Sequence, residues 1–588
     1  MTWLAAAALT LTAPVWADQT TDARFKQIYD QEWAWRNGQS GINTSGEAQP
    51  NGSRLDNVDA ANQQKRLDYW QKVLTSLDGV DPKQLSAEEQ VNYAIYRAQI
   101  QNLLAAQQFK QWQMPFNSDS AFWSDLNYVL EGDNLRTEKD YRRYLDRLGQ
   151  VPSYFQQQIA NMRDGLARGF TVPRAVLDGR DVSIASVAEL KDPTQSSFYK
   201  PFEKMPTSIA PADAAKMQEE ARQAIASKVI PAYGNLLTFF RNEYMPKART
   251  TLAAEAMPDG KAWYHQQIVE YTTLDLSPDQ IHQIGLDQVA KIHAEMVKTM
   301  QETGFKGSFA DFLHFLRTDP QFYAKTPDEL LMRTAWVAKQ VDAQLGKEFG
   351  RLPRQRFAIV PVSPDIAPYY TSGRGGANSY LVNTYDLPSR PLYNMPALTL
   401  HESAPGHSLQ LALAAEQKGQ PAFRREGYIS AYGEGWGLYS EYLGNEMGIY
   451  KTPYDRFGYL TYQMWRAARL VVDTGIHHLG WTRQQSIDFM TQNTALSDRE
   501  IANEVDRYIS WPGQALSYEL GYLKILELRQ KAEQALGSKF DIRHFHDTVL
   551  QIGSVPLPVL EQRIDRFIAE GGPEPDFGGD CAKQTKAP

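Results

Sequence analysis

Cysteine is nearly missing from this chain of 588 residues: the single one, Cys581, lies in a tail containing Gly and Pro. No intramolecular disulfide can form, and thiol catalysis has no candidate elsewhere. Histidine is also scarce, with ten in all and none before His265. Metal-type imidazole chemistry therefore belongs to the C-terminal half. No stretch after the first 17 residues approaches the ~20 unbroken apolar residues of a membrane-spanning helix. A net charge of −8 gives no electrostatic case for binding nucleic acid or an anionic membrane. A Walker loop, a dinucleotide fingerprint and a Ser-His-Asp pattern are all missing from suitable settings, and no internal repeat is visible.

What is present is a globular composition, 42% hydrophobic and 22% charged. Residues 1–17, MTWLAAAALTLTAPVWA, form an apolar run ending in a small-residue site at Val15 and Ala17. The run has no basic segment before it, but it reads as a signal peptide and points to a periplasmic or secreted protein. From residue 18 to about 260 the pattern is of long amphipathic helices, at 62–76, 86–108, 138–165 and 212–243. These are expected to form a wall or lid. Residues 261–570 are the expected catalytic region, with Ser277-Pro278-Asp279-Gln280 a strong helix start. Residues 354–384 read as short strands around a Gly-rich turn, and the tail 571–588 reads as disordered. The fold class is mainly α with a small β-sheet near the site.

The chemistry concentrates at 401–407, His-Glu-Ser-Ala-Pro-Gly-His. In an HExxH helix the two His are four residues apart and share a face. Here His401 and His407 are six apart, about 600° of ideal helix, which would separate them. Pro405 would remove the hydrogen bond to the carbonyl of residue 401, and Gly406 permits a sharp reversal. The helix is then broken, and His407 opens a new one facing the end of the old. A catalytic zinc takes about three protein ligands and keeps one position open. His401 and His407 can supply two if the helix ends at the Pro; otherwise Pro-Gly is an ordinary interhelical turn whose flanking His are incidental.

Further candidates lie downstream. Glu434 and Glu441 are seven apart, within about 20° on a helix, among Trp436, Leu438, Tyr439 and Tyr442. Enclosed carboxylates need a partner or a metal, so one would be the third ligand and the other would support a ligating His. Asp473 and His477 are four apart on a helical face, either an oriented imidazole for an oxyanion or proton transfer, or a local ion pair. Tyr508 and Tyr518 offer hydroxyls for a tetrahedral intermediate. His544 and His546 read as structural.

Taken together, His-Glu-Ser-Ala-Pro-Gly-His, Gly-Glu-Gly-Trp-Gly-Leu-Tyr-Ser-Glu, Val-Asp-Thr-Gly-Ile-His and Pro-Gly-Gln-Ala-Leu-Ser-Tyr resemble the bacterial domain-of-unknown-function family 885, marked by HExxPGH. That family looks related to helical zincin-like metallopeptidases, and the resemblance is strongest from about 370 to 530. It implies a zincin-like architecture with a deep cleft, a Zn2+ ion held by His401, His407 and Glu434, and Glu402 as general base. Glu441 and Asp473 would then be supporting residues, with His477 or Tyr518 steadying the oxyanion. By the same analogy the strand from Gly375 to Asn383 is the edge against which a peptide lies, with Gly375, Gly376, Asn378 and Tyr380 as substrate contacts. The expected activity is zinc-dependent hydrolysis of short peptides. The alternatives are a zinc amidase acting on a non-peptide or cell-wall-derived amide, and a metal-free helical binding protein.

Overall fold

The computed structural model describes residues 19–39, 54–118, 120–131, 135–364, 367–417 and 419–575. The expected signal segment 1–17 and Cys581 lie outside these. The described residues are mainly helical with one three-stranded sheet, as the sequence pattern predicts. The first helix needed here, α1 (Glu138–Arg168), starts from a reciprocal Thr137/Asp140 capping box and ends at Gly169 in the left-handed conformation. Helix α2 (Pro278–Glu302) starts from Ser277 with Gln280 completing the capping box. The 212–243 pattern is realised as Pro211–Ala224 and continues through two five-residue π-turns to Lys247. Among the described residues no helix is long and apolar enough to cross a membrane.

The sheet comprises β1 (Ala358–Pro361), β2 (Gly373–Gly375) and β3 (Ser379–Val382) in the order β1-β3-β2. β1 runs parallel and β2 antiparallel to β3. The strand expected to be an edge is therefore the centre of the sheet, because β1 and β2 saturate both of its sides; the free edge near the site belongs to β2. Then follow α3 (Met395–Glu402), α4 (His407–Glu416), α5 (Ser430–Glu446), α6 (Pro453–His477) and α7 (Ser517–Leu536).

The expected division at residue 260 does not correspond to separate cores. One large core joins Phe155 and Tyr233 to Tyr380, Phe457 and Tyr508. Another joins Phe25 and Tyr96 to Trp436 and Phe567. Apolar faces of the early helices are buried on C-terminal ones, so the N-terminal region is part of the framework. The expected tail is ordered at its start: Gly572 N–H donates to Phe567 C=O, and its own carbonyl accepts from His544 Nδ1.

Helices α5 and α7 cross at glycines. A Cβ on Gly521 would stand 1.9 Å from the Ala431 carbonyl oxygen, and one on Gly435 would stand 2.5 Å from the Gly521 carbonyl carbon. Backbone thus touches backbone beside Glu434. Gly521→Ala is expected to destabilise the protein by at least ~1–3 kcal/mol, because the obstacle is main chain and cannot rotate away. A thermal unfolding midpoint equal to wild type would show that the helices separate freely.

Candidate metal centre

The Pro405-Gly406 segment breaks the helix where the sequence predicts. α3 ends at Glu402, α4 begins at His407, and the Ala404–Pro405 peptide is cis. Trp436 Nε1–H donates to the Pro405 carbonyl at 2.8 Å and ties the turn to α5. Gly406 is required by close approach: a Cβ there would lie 1.9 Å from the His401 carbonyl oxygen. The turn therefore folds onto the end of α3 and returns His407 to His401, with ring centroids 4.9 Å apart.

His401, His407 and Glu434 converge, with one ligand atom from each lying within 4.8 Å of the others. Glu434 Oε2 is 3.4 Å from Nε2 of both His401 and His407. With metal–ligand bonds of about 2.0–2.2 Å, ligands of a tetrahedral site stand about 3.3–3.5 Å apart, so these separations suit one cation. The imidazole of His401 lies against Gly437, where a Cβ would come within 2.6 Å of the ring. Its Nδ1–H donates to Glu441 Oε1 at 2.8 Å, which turns Nε2 towards Glu434 and the centre. Gln463 in turn donates to Glu441 Oε2 at 3.3 Å, and Tyr450 donates to the Glu441 carbonyl. Glu434 and Glu441 thus share a face of α5, as their spacing predicts, with Gly437 between them as the slot for the ring.

Electrostatics tighten the group. Burial opposes protonation of His401, but Glu434 and Glu441 outweigh it and push the imidazole up to about 10. Burial also opposes ionisation of Glu434, yet His407 and His401 hold its carboxyl well below the usual range. A cation entering here must displace the His401 proton. Beside the ligands, Glu402 is partly exposed, and one of its oxygens accepts from Gly375 N–H at 2.7 Å. Such a carboxylate has one oxygen fixed to β2 and the other available.

Two residues of the group were not legible in the sequence. Tyr428 donates to Glu434 Oε1 at 3.0 Å, and its ring lies over Gly433. It also lies within electrostatic reach of Glu402 and Tyr518. Its signal was weak, a tyrosine in a loop six residues before the ligand. Gln463 had none, because it arrives from α6.

Other expected residues are placed differently. Asp473 does not orient His477: it accepts from Tyr264 O–H at 2.6 Å and from Gly513 N–H. His477 is fully buried, accepting from Ala254 N–H at Nδ1 and donating from Nε2 to the Tyr508 carbonyl. With both nitrogens committed to main chain, it has none to offer an oxyanion. Tyr508 is likewise occupied, donating to Glu504 and accepting from Arg469 and Trp465. Tyr518 is buried against Arg466 and Arg469. Tyr380 points into the core, fully buried, so its side chain makes no substrate contact. Gly376 N–H closes the β2–β3 turn on the Ser379 carbonyl, and exposed Asn378 accepts from Ala358 N–H. Of the four expected substrate residues, Gly375 is the one joined to the site. His546 is structural as expected, held by Tyr439 and the Glu348 carbonyl.

A family model described as "Bacterial protein of unknown function (DUF885)" matches residues 38–564. The chain belongs to this family. Among solved structures it is similar to a "putative lipoprotein" from Colwellia psychrerythraea, at 27% identity and a TM-score of 0.84, covering 94% of this chain and 99% of the other. A "putative lipoprotein of unknown function" from Shewanella oneidensis shares the fold at 18% identity and a TM-score of 0.68, covering 92% and 98%. No curated protein matches.

The neutral His477 makes acid stability testable. Its burial holds it down to about 3, whereas an unfolded imidazole titrates near 6.5. Below about pH 6.5 the unfolded chain takes up a proton that the folded one refuses, so this histidine's contribution falls by ~1.4 kcal/mol per pH unit. Chemical denaturation of wild type and His477→Gln is expected to show their stability difference narrowing by about 2 kcal/mol from pH 7 to pH 5. A constant difference would mean that the histidine titrates alike in both states.

Proposed function

We propose that this protein is a zinc-dependent metallopeptidase that hydrolyses short peptides outside the cytoplasm. The observation carrying this reading is the convergence of His401, His407 and Glu434 on one point beside Glu402. Two neutral nitrogens and one carboxylate are a donor set suited to catalytic zinc, which needs a fourth position open for water. When bound, zinc would lower the pKa of that water towards ~7 and polarise a carbonyl. A metal-free binding protein would have no use for a carboxylate tethered beside such ligands.

The residues divide the remaining work. Glu402 takes the proton from the attacking water and passes it to the leaving amine. Gly375 N–H fixes one of its oxygens and leaves the other to carry the proton. Tyr428, half-exposed beside Glu434, is the hydroxyl we assign to the developing oxyanion, a role in which its O–H turns away from the Glu434 carboxylate. In this role it replaces His477. The outer edge of β2, unpaired by any described strand apart from the Gly375 N–H held by Glu402, favours a peptide over a non-peptide amide, because an extended backbone pairs with a strand edge. The extracytoplasmic location draws support from the apolar run at 1–17 and from similar structures being called lipoproteins.

Metal analysis beside a Glu402→Gln variant tests the reading. Both proteins are expected to hold one zinc, while hydrolysis of a peptide library falls about 10²–10⁴-fold in the variant. Wild type without stoichiometric zinc at neutral pH would overturn the assignment, and equal cleavage by both would remove Glu402 as base. Glu441→Ala is expected to weaken zinc binding about 10–100-fold, through loss of the acceptor for His401 Nδ1–H. Competition with a fluorescent chelator reads this directly, and an unchanged affinity would refute the supporting role.

A further inference from the structure

The face of α6 that supports the metal centre continues into two buried arginines. Gln463 reaches Glu441, which holds His401. Arg466 follows three residues on, roughly one turn further along that side, and Arg469 three beyond it, about 120° round the helix from Gln463. Arg469 is satisfied on two sides, donating to Tyr508 and to Glu504 at 2.7 Å, but its Nη1 has no acceptor. Arg466 is the exception. It is 6% exposed, its Nε and Nη1 are buried without acceptors, and no carboxylate lies within ion-pair distance among the described residues.

Its aromatic neighbours explain how the guanidinium is held. The group lies 3.7 Å from the ring centre of Trp465 and 4.8 Å from that of Tyr518. Aromatic faces favour the cation but accept none of its in-plane N–H bonds. Burial and the neighbouring Arg469 lower its affinity for the proton. Glu519 does not compensate: both of its oxygens are buried without donors, and burial, reinforced by Glu441, pushes its carboxyl up to about 8. A buried cation with free donors costs several kcal/mol unless an anion completes it. Tyr518, stacked on this guanidinium, is within electrostatic reach of Tyr428, the residue that donates to Glu434.

We propose that Arg466, backed by Arg469, is the subsite for the free C-terminal carboxylate of a peptide lying across the metal centre. This rests on the peptidase reading and sharpens it: the enzyme trims peptides from the C-terminus and does not cut internally. The fork of N–H donors matches a carboxylate. Hydrolysis adds water across the amide bond nearest the metal, giving a shortened peptide with a new carboxylate and releasing the C-terminal fragment with a free amine.

The test compares tetra-alanine blocked at its N-terminus, its C-terminal amide, and a corresponding amide ending in Glu. Wild type is expected to cleave the acid about 10–100-fold better than either amide in kcat/KM. Arg466→Met should lower acid cleavage to the wild-type amide level, and Arg466→Lys should recover part of it. A second readout is calorimetric binding of the acid and the amide to the Glu402→Gln protein, where the acid should bind about 10–100-fold more tightly. Equal cleavage of acid and plain amide would overturn the subsite while leaving the peptidase reading intact. Restoration by the terminal Glu side chain would overturn the C-terminal assignment. If Arg466→Met loses thermal stability but keeps the acid preference, the arginine serves Glu519 through intervening water and the proposal fails. Tight binding of the acid without cleavage of any peptide would overturn the peptidase reading and leave the subsite standing.

Discussion

The His401 imidazole, gripped at both nitrogens by carboxylates on one helix, is the interaction on which the rest of the site depends. Glu434 and Glu441 are seven residues apart on α5, and the ring fits between them only because residue 437 is glycine. This one contact fixes the distance between α3 and α5 and sets which ring nitrogen faces the centre. It also gives buried Glu441 an imidazole N–H to accept from, and together with His407 it holds the Glu434 carboxyl well below the usual range.

Everything around the grip serves to keep it in register. The Pro405-Gly406 turn is bonded to Trp436 of the same helix, so His407 arrives on the same frame that holds Glu434. The α5–α7 crossing at Gly435 and Gly521 places the start of α7 beside the ligand. β2 adds the last element, donating a backbone N–H to Glu402 where α3 ends. Close backbone approaches recur at these points, since a site of a few ångströms cannot tolerate side chains wedged between its supports.

The outer end of the stripe on α6 has a different character. At the end near the candidate metal site, Gln463 is satisfied by Glu441. One and two turns further the arginines carry donors without acceptors. Buried polar groups in folded proteins are nearly always satisfied. A run of unsatisfied ones beside a candidate catalytic centre marks the place where something other than the protein completes the bonding.

The sequence by itself determined the local chemistry: helices with their caps, the break at Pro405-Gly406, and Glu434 and Glu441 on one face. Each follows from the spacing of residues a few positions apart, where helix geometry and proline sterics act without outside help. The Ser277 start and the 138–165 helix were legible for the same reason. Tertiary structure alone decided which partners those residues meet. Asp473 and His477 share a face, yet Tyr264 and Gly513 take the carboxylate while Ala254 and Tyr508 take the ring, because elements 31 to 223 positions away in sequence supply nearer donors and acceptors. β3 became the centre of its sheet through pairing with β1, which no short-range pattern encodes. Tyr428, Gln463 and Arg466 likewise gain their significance from contacts across the fold, since a side chain's hydrogen-bond partners depend on packing and not on its neighbours in the chain.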